Sequence, residues 1–563
     1  MRAIRFYFSL FFTLWLTACA APQTSSPVEI NLVALNDFHG YLQASSLRYT
    51  DPDNPDILVT MEAGGIATLG GLLADLREQD PQLIFVGVGD LIGASPPLSA
   101  MWADEPSLEA MNLLGMRVST LGNHELDEGK DELLRQINGG CESARPQKAC
   151  QFSSPFSGTQ FPYIAANVIA EETGKPLVAP YVIETVQGIR IAFIGAQVED
   201  LAAMVSASSM AGIQVLDEAD GINSFVPAMK RDGADVIVAL VHQGGTTPAA
   251  FNQPDCNNLN GEIVDIVERL DPAVDLVLSA HTHQAYLCLV GNRSVSQAGS
   301  YGKMVTHVTL TYDPQAQQLL NIQSQNLIVD PRKYASDPRL LALQKEVESR
   351  SKAVLLKPVA RIGAPVIDRT LNRAGESAMG DLIADAQLAA TAALGAQIAL
   401  MNTGGIRSEL IPTEPGAPLT YSQVAAVHPF KGTLQLVTLT GAQLKDVLEQ
   451  QWQSDDLSDF RPLQISHSLS YHWNAARPRG NRVLTETITV NGLPVEADKS
   501  YRVVVNEFLA DGGDGFTALR LGHSRIDTDI ADLQALIDYL IERDAAGQPA
   551  GQQEPGGRML RIE

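Results

Sequence analysis

The stretch Gly122-Asn123-His124-Glu125-Leu126-Asp127 brings an amide, an imidazole and a carboxylate close together in the chain. Asn123 and His124 are adjacent, and Asp127 follows His124 by three residues, the spacing that puts two side chains on one helical face. Amide oxygens and imidazole nitrogens can both hold a metal ion, and a carboxylate beside an imidazole can fix its orientation. The apolar run 116–121 comes immediately before, so the stretch falls at a strand end, where open α/β sheets keep their sites. A capped turn also fits, with Asn123 as N-cap and Glu125, Asp127 and Glu128 near the positive end of a helix that begins there.

The same placement recurs along the first half of the chain. The run 30–35 ends in Asn36-Asp37-Phe38-His39, 83–88 in Gly89-Asp90, 236–241 in His242, and 274–279 leads to His281-Thr282-His283. A single histidine after a strand is usually an ordinary hydrogen-bonded residue. Five of the ten histidines in these motifs, all at strand ends, call for another explanation. Asp37, His39, Asp90, Asn123, His242, His281 and His283 are too many donors for one ion and enough for two if one carboxylate bridges. Mixed nitrogen and oxygen donors suit two divalent transition-metal ions (Zn, Mn, Co, Ni or Fe) better than Ca or Mg. Two cations about 4 Å apart activate a water and polarise a phosphoryl oxygen for in-line attack.

These donors need strands that end together. Besides the runs above, 190–195 reads as a strand, and most of the runs are near-continuous Val, Ile and Leu, as expected where helices cover both faces. The segments 66–79 and 261–270 have the periodicity of amphipathic helices. Leu340, Leu341, Leu343, Val347, Val354 and Leu355 predict a helix over 337–357 that stops before Pro358. A second α/β region comes next, with helices near 379–394 and 441–452 and strands at 398–401, 433–439 and 501–505.

In order, the motifs DxH, GD, GNHE, H and HxH resemble the calcineurin-like metallophosphatase superfamily, and more narrowly the secreted bacterial 5′-nucleotidases. That group includes UDP-sugar hydrolases and cyclic-nucleotide phosphodiesterases. The resemblance implies an N-terminal four-layer αββα metallophosphatase domain, a linking helix and a C-terminal α/β substrate-binding domain. Its expected boundaries are 29–335, 336–358 and 359–563, after a signal at 1–19 and a tether at 20–28. It implies Asp37, His39, Asp90 and His283 around one metal, and Asp90, Asn123, His242 and His281 around the other. His124 would then donate a hydrogen bond to the phosphoryl group in the transition state, with Asp127 orienting its ring.

Three glycine-rich segments mark the C-terminal half: Asn402-Thr403-Gly404-Gly405-Ile406-Arg407, Pro429-Phe430-Lys431-Gly432 and Gly512-Gly513-Asp514-Gly515-Phe516. Glycines let a backbone approach a ligand, and rings at such turns either pack inward or stack on a base. These segments are similar to the nucleotide-binding domain of 5′-nucleotidases. That similarity implies Phe430 and Phe516 around the base, Asn402 on the base, and Arg407 with Arg373 on the charged or ribosyl part. Lys431 stands where the family often has a small residue.

The chain has 563 residues, 40 basic against 65 acidic groups and a net charge of −25, which disfavours nucleic-acid polymers and anionic membranes as partners. Arg2 and Arg5 precede an apolar run, 6–16, far shorter than the roughly 20 residues that span a bilayer. The run closes on Leu16-Thr17-Ala18-Cys19, which resembles a bacterial lipobox with Cys19 as the lipidated residue; an ordinary secretory signal cut near Ala20 or Ala21 is the alternative. The expectation is an exported, cell-envelope or periplasmic lipoprotein of a Gram-negative-type bacterium, touching the membrane through its N-terminal anchor. Of the three pairings open to the other cysteines, Cys141 with Cys150 and Cys256 with Cys288 are preferred.

The expected activity is hydrolysis of nucleoside 5′-monophosphates to nucleoside and phosphate, with nucleotide sugars as further substrates. A 2′,3′-cyclic-nucleotide phosphodiesterase with 3′-nucleotidase activity is the rival enzyme. A surface nucleotide-binding or adhesion protein without turnover is the rival class, and intact Asp90, Asn123, His124 and Asp127 speak against it.

Overall fold

The computed structural model describes residues 26–51, 54–254, 256–430, 432–457 and 459–563. The expected signal 1–19 with Cys19 as the expected lipidated residue, most of the expected tether 20–28, and Lys431 lie outside the described residues.

The apolar runs of the first half form two six-stranded sheets. One has the order Gln318–Ile328, Met304–Asp313, Val28–Leu35, Ile84–Gly87, Val118–Thr120, Tyr163–Ile164. The other runs Ala285–Val290, Arg293–Ala298, Leu276–Ser279, Val236–His242, Ile189–Gln197, Tyr181–Val186. Each contains four consecutive parallel strands, whose carboxyl ends therefore open on one side.

Alternation along the strands explains the layering. Ile30, Leu32 and Ala34 share a buried cluster with Phe193, Val238 and Leu278 of the other sheet, while Val33 and Leu35 turn towards the helix Ile66–Gln79. On the second sheet Ile194, Ile237 and Ala239 pack with Ile222 and Val226 of Glu218–Arg231 and with Ile263 and Ile266 of Glu262–Arg269. The outcome is helix, sheet, sheet, helix.

A helix occupies Pro338–Leu355, capped by the Asp337 carboxylate, which accepts from Arg339 N and Leu340 N. It is bolted to the N-terminal domain. Leu340, Leu343, Val347 and Leu355 belong to the same buried cluster as Ile66, Leu69 and Phe85. The Trp102 indole donates to Ser351 Oγ at 2.9 Å, and the Arg350 guanidinium lies over the rings of Trp102 and Phe152 at 5.0 and 4.6 Å. The chain leaves this domain at 356–358, not along the helix.

The C-terminal domain holds a five-stranded sheet ordered Leu463–Ile465, Ile398–Asn402, Ser500–Asn506, Thr433–Thr440, His523–Ala531. Leu400, Val437, Val503 and Val505 face a core with Trp452 and Trp473, whereas Ala399, Leu436 and Val504 face the helices Ala378–Thr391 and Asp532–Ala545. Both expected cysteine pairs are joined, Cys141 to Cys150 and Cys256 to Cys288. Among the described residues no helix is long and apolar enough to cross a membrane.

Because Leu340 is buried among residues of the first domain, Leu340→Ala is expected to cost about 2–4 kcal/mol there. Urea unfolding followed by a probe in each domain checks this. A shift confined to the C-terminal transition would show that the helix belongs to the other side.

Candidate metal centre and interdomain cleft

The seven expected donors converge at the carboxyl ends of the parallel strands. His39 Nε2 lies 3.1 Å from His283 Nε2 and 3.6 Å from Asp90 Oδ2, and His283 Nε2 lies 3.5 Å from Asp37 Oδ1. On the other side, His242 Nε2 is 3.2 Å from Asp90 Oδ2 and 3.2 Å from Asn123 Oδ1, which in turn is 3.1 Å from His281 Nδ1. Two donor sets thus meet at one oxygen of Asp90. Asp37, His39 and His283 form one group able to hold a cation, and Asp90, His242 and His281 another.

Local structure aims these atoms. The far nitrogens of two rings are occupied: His39 Nδ1 faces the Gly93 carbonyl at 2.9 Å and His242 Nδ1 faces the Val88 carbonyl at 2.8 Å. Each carbonyl accepts a ring N–H from Nδ1, which makes Nε2 the nitrogen that faces the cluster. Five donors have left-handed backbone: Asp37 at φ 48°, His39 at 47°, Asp90 at 51°, His281 at 71° and His283 at 56°. Side chains rarely adopt such φ, and strain of this kind persists where the surroundings over-determine it. Gly122 is glycine for a steric reason, since a Cβ there would overlap Asp90 Oδ1.

The electrostatics match a cation-binding cluster. Burial opposes charge on His242, but the Asp90 carboxylate outweighs it and lifts the imidazole to about 9. Burial, together with the neighbouring His242, drives His281 down to about 3. Burial likewise holds His39 well below its ordinary range. The neutral rings of His39 and His281 and the carboxylates are ready donors for a divalent cation, and a cation would displace the proton that Asp90 favours on His242.

His124 stands beside this cluster. Its Nδ1 faces Asp127 Oδ2 at 2.9 Å, while its backbone N–H donates to Asp90 Oδ1 at 2.9 Å. Burial opposes protonation of the ring, yet Asp127 and Asp90 hold its pKa above the ordinary value. The helix expected to begin here is only the 3-10 turn His124–Leu126, and the α-helix starts at Gly129. The side chain of Asn123 makes no cap: it points at His242 and His281. That corrects the capped-helix expectation, because the amide is committed to the cluster.

Glu125 has a role that its sequence position hides. Its buried carboxylate accepts from Asp90 N and Gly122 N at 2.8 and 2.7 Å through Oε2, and from Leu91 N at 2.8 Å through Oε1. One side chain therefore ties together the two strand-end loops that carry Asp90 and Asn123. Burial, then the charge of Asp90, pushes it up to about 7.

The C-terminal domain closes over this centre. A cleft of about 830 Å³ is lined by Asp90, Asn123, His124, Asp127, His281 and His283 from one domain and by Asn402, Arg407, Phe430, Phe508 and Asp514 from the other. Arg407 Nη2 reaches 3.2 Å from His124 Nε2, and the Phe430 ring lies 6.0 Å from the His124 ring at 27°. The Asn402 amide is held from both ends, donating to Asp514 Oδ2 at 2.6 Å and accepting from Asn506 Nδ2 at 3.0 Å.

Two expected substrate contacts are corrected. Phe516 is fully buried in the C-terminal core, so its ring offers no stacking face. The ring in the cleft is Phe508, which lies so close to Gly513 that a Cβ there would overlap it. The glycine-rich turn therefore seats the earlier phenylalanine. Arg373 is exposed and pairs with Glu563 at 3.1 Å, away from the cleft. Arg369, four residues earlier, donates to the Ile406 carbonyl at 3.3 Å and lines a separate cavity of about 320 Å³.

Comparison with known proteins accords with this architecture. Residues 30–285 match the calcineurin-like phosphoesterase family, and residues 358–520 match the 5′-nucleotidase C-terminal domain. The cell wall protein Lmo0130 of Listeria monocytogenes is 29% identical over 567 residues, covering 97% of this chain and 71% of that protein. Endonuclease YhcR of Bacillus subtilis is 28% identical over 521 residues and covers 92% of this chain, which spans only 40% of the endonuclease. A crystal structure of a 5′-nucleotidase precursor from Thermus thermophilus is 27% identical with a TM-score of 0.76, covering 95% of this chain and 100% of that one. With both halves matched and a cluster of metal-type donors at the strand ends, the chain belongs to the 5′-nucleotidase family of calcineurin-like metallophosphatases, phosphoester hydrolases whose fold implies divalent metal ions.

Proposed function

We propose that the protein removes phosphate from nucleoside 5′-monophosphates at a dinuclear centre, with the nucleoside held by the C-terminal domain. The observation that carries this reading is the shared cleft, in which the donor cluster and the Asn402, Arg407, Phe430 and Phe508 side chains line one space. Asp37, His39, Asp90 and His283 would hold one cation, and Asp90, Asn123, His242 and His281 the other. When bound, the cations supply an acidified water and draw charge from the phosphoryl oxygens. His124, kept oriented by Asp127, donates a hydrogen bond to a phosphoryl oxygen as charge builds there. Phe430 and Phe508 take the base, Asn402 and Asp514 the polar edges of the nucleoside, and Arg407 the anionic end. The apolar run and Leu16-Thr17-Ala18-Cys19 support export and an N-terminal lipid anchor.

Phosphate release from 5′-, 3′-, cyclic and sugar nucleotides, after chelation and readdition of single metals, tests the reading. Highest turnover on 5′-monophosphates is expected; preference for 2′,3′-cyclic substrates would replace it with the phosphodiesterase reading. The chemical role of His124 gives a separate expectation: His124→Ala retains both metals by elemental analysis and loses roughly 10²–10³ in kcat. If metal content falls with turnover, the residue is part of the metal scaffold instead. Glu125→Ala unpins three backbone amides and is expected to weaken metal affinity by roughly 10–100-fold, measured by chelator competition. Replacing Phe430 and Phe508 together by Ala should raise KM for nucleotides by roughly 10–100-fold and for an aryl phosphate far less. Equal increases for both substrates would rule out base stacking.

A further inference from the structure

Beneath the glycine-rich loops of the C-terminal domain lies a buried ion pair that the chemistry above does not use. His428 ends the helix Tyr421–Val427, and Asp532 opens the helix Asp532–Ala545. His428 Nε2 lies 3.0 Å from Asp532 Oδ2, and both side chains are about 1% exposed. Each partner sits where the backbone of a ligand-facing loop is anchored. Arg407 N donates to the Val427 carbonyl at 2.8 Å, and Asp532 N donates to the Gly432 carbonyl at 3.1 Å. Both side chains also line the interdomain cleft with Phe430, whose ring stands 6.4 Å from the His428 ring at 72°.

We propose that His428 is a positioning residue for nucleoside binding, clamped by Asp532 so that the loops bearing Arg407 and Phe430 keep one fixed spacing. The inference rests on the nucleotide reading above. Three pieces of chain meet near the pair: the 402–407 loop, the end of the helix Tyr421–Val427 with His428, and the first turn of the helix Asp532–Ala545. Burial opposes a charge on His428, yet Asp532, helped by the backbone of Gly405, favours its protonated form. Asp532 is braced in turn, because its Oδ1 accepts from Leu533 N at 2.6 Å. An apolar residue at 428 leaves a buried carboxylate without its counter-charge, and such a carboxylate draws in water or turns away. Either response shifts the backbone at His428, and Phe430 moves with it. The donor cluster lies in the other domain, so the effect should fall on nucleoside recognition.

The test compares KM for a nucleoside 5′-monophosphate with KM for an aryl phosphate in the full-length, metal-loaded enzyme. His428→Leu is expected to raise the ratio of the two by roughly tenfold. His428→Gln, which keeps a donor for Asp532, should recover most of that change. Asp532→Asn and titration with a nucleoside lacking phosphate give the same comparison if the leucine variant does not fold. A ratio that stays within about twofold in His428→Leu and Asp532→Asn overturns the proposal, as does a glutamine variant as impaired as leucine. If the wild type itself shows no preference for the nucleotide, the nucleotide reading fails first and this inference falls with it.

Discussion

Everything in the N-terminal domain is arranged around one unfavourable juxtaposition: lone pairs of imidazoles, carboxylates and an amide aimed at a common space. Asp90 Oδ2 is the pivot, 3.2 Å from His242 and 3.6 Å from His39. In the absence of positive charge such a cluster repels itself, and with Asp37, His39, Asp90 and His242 buried, water relieves them little. Part of the relief is protonic, since the Asp90 carboxylate outweighs burial and favours a proton on His242, while burial and that neighbour depress His281. Divalent cations would relieve it more completely, because each ion meets several lone pairs at once.

Holding that cluster needs a rigid frame. The left-handed backbone at five donors and the close approach of Gly122 to Asp90 are both costly arrangements. The sandwich of two sheets supplies the rigidity, since Leu32, Phe193, Val238 and Leu278 fill its inner layer and leave essentially nothing exposed. Glu125 then converts sheet rigidity into loop rigidity by binding amides on either side of the site. A carboxylate spent on backbone amides fixes loops more firmly than one left in solvent, because each bond is charge-assisted.

The donor cluster is legible in the sequence because apolar strands end abruptly and the residues just past each end are chemically conspicuous. His242 after one run of buried strand and His281-Thr282-His283 after another can be recognised without knowing the sheet order. The helix before Pro358 is legible too, from its apolar spacing, but not the domain it packs on, since Leu340 and Val347 would suit either core. Side chains whose meaning depends on which way a turn faces are not legible. Phe508 and Phe516 flank the same glycine-rich turn, and only the three-dimensional path of that turn decides that Phe508 lines the cleft while Phe516 fills the core. Arg369 and Arg373 differ in the same way, one touching the 402–407 loop and the other pairing with the chain end. Glu125 is hidden for another reason: its partners are backbone amides, which carry no residue-type signal.

The contact between the domains follows from charge. Arg407 approaches His124 Nε2 to 3.2 Å, and the same guanidinium lies 5.2 Å from the Phe430 ring centre. With its proton on Nδ1 towards Asp127, His124 accepts from Arg407 and both contacts are satisfied. Under the proposed reading, a phosphoryl oxygen held there would accept from the imidazolium and the guanidinium together, whereas those two cations repel each other without an anion. The helix Pro338–Leu355 is fixed to the first domain, so Arg407 and Phe430 reach the cleft from the chain that follows it. Under the proposed reading, an anionic group in the cleft would be held from both domains at once, a link that an uncharged nucleoside lacks.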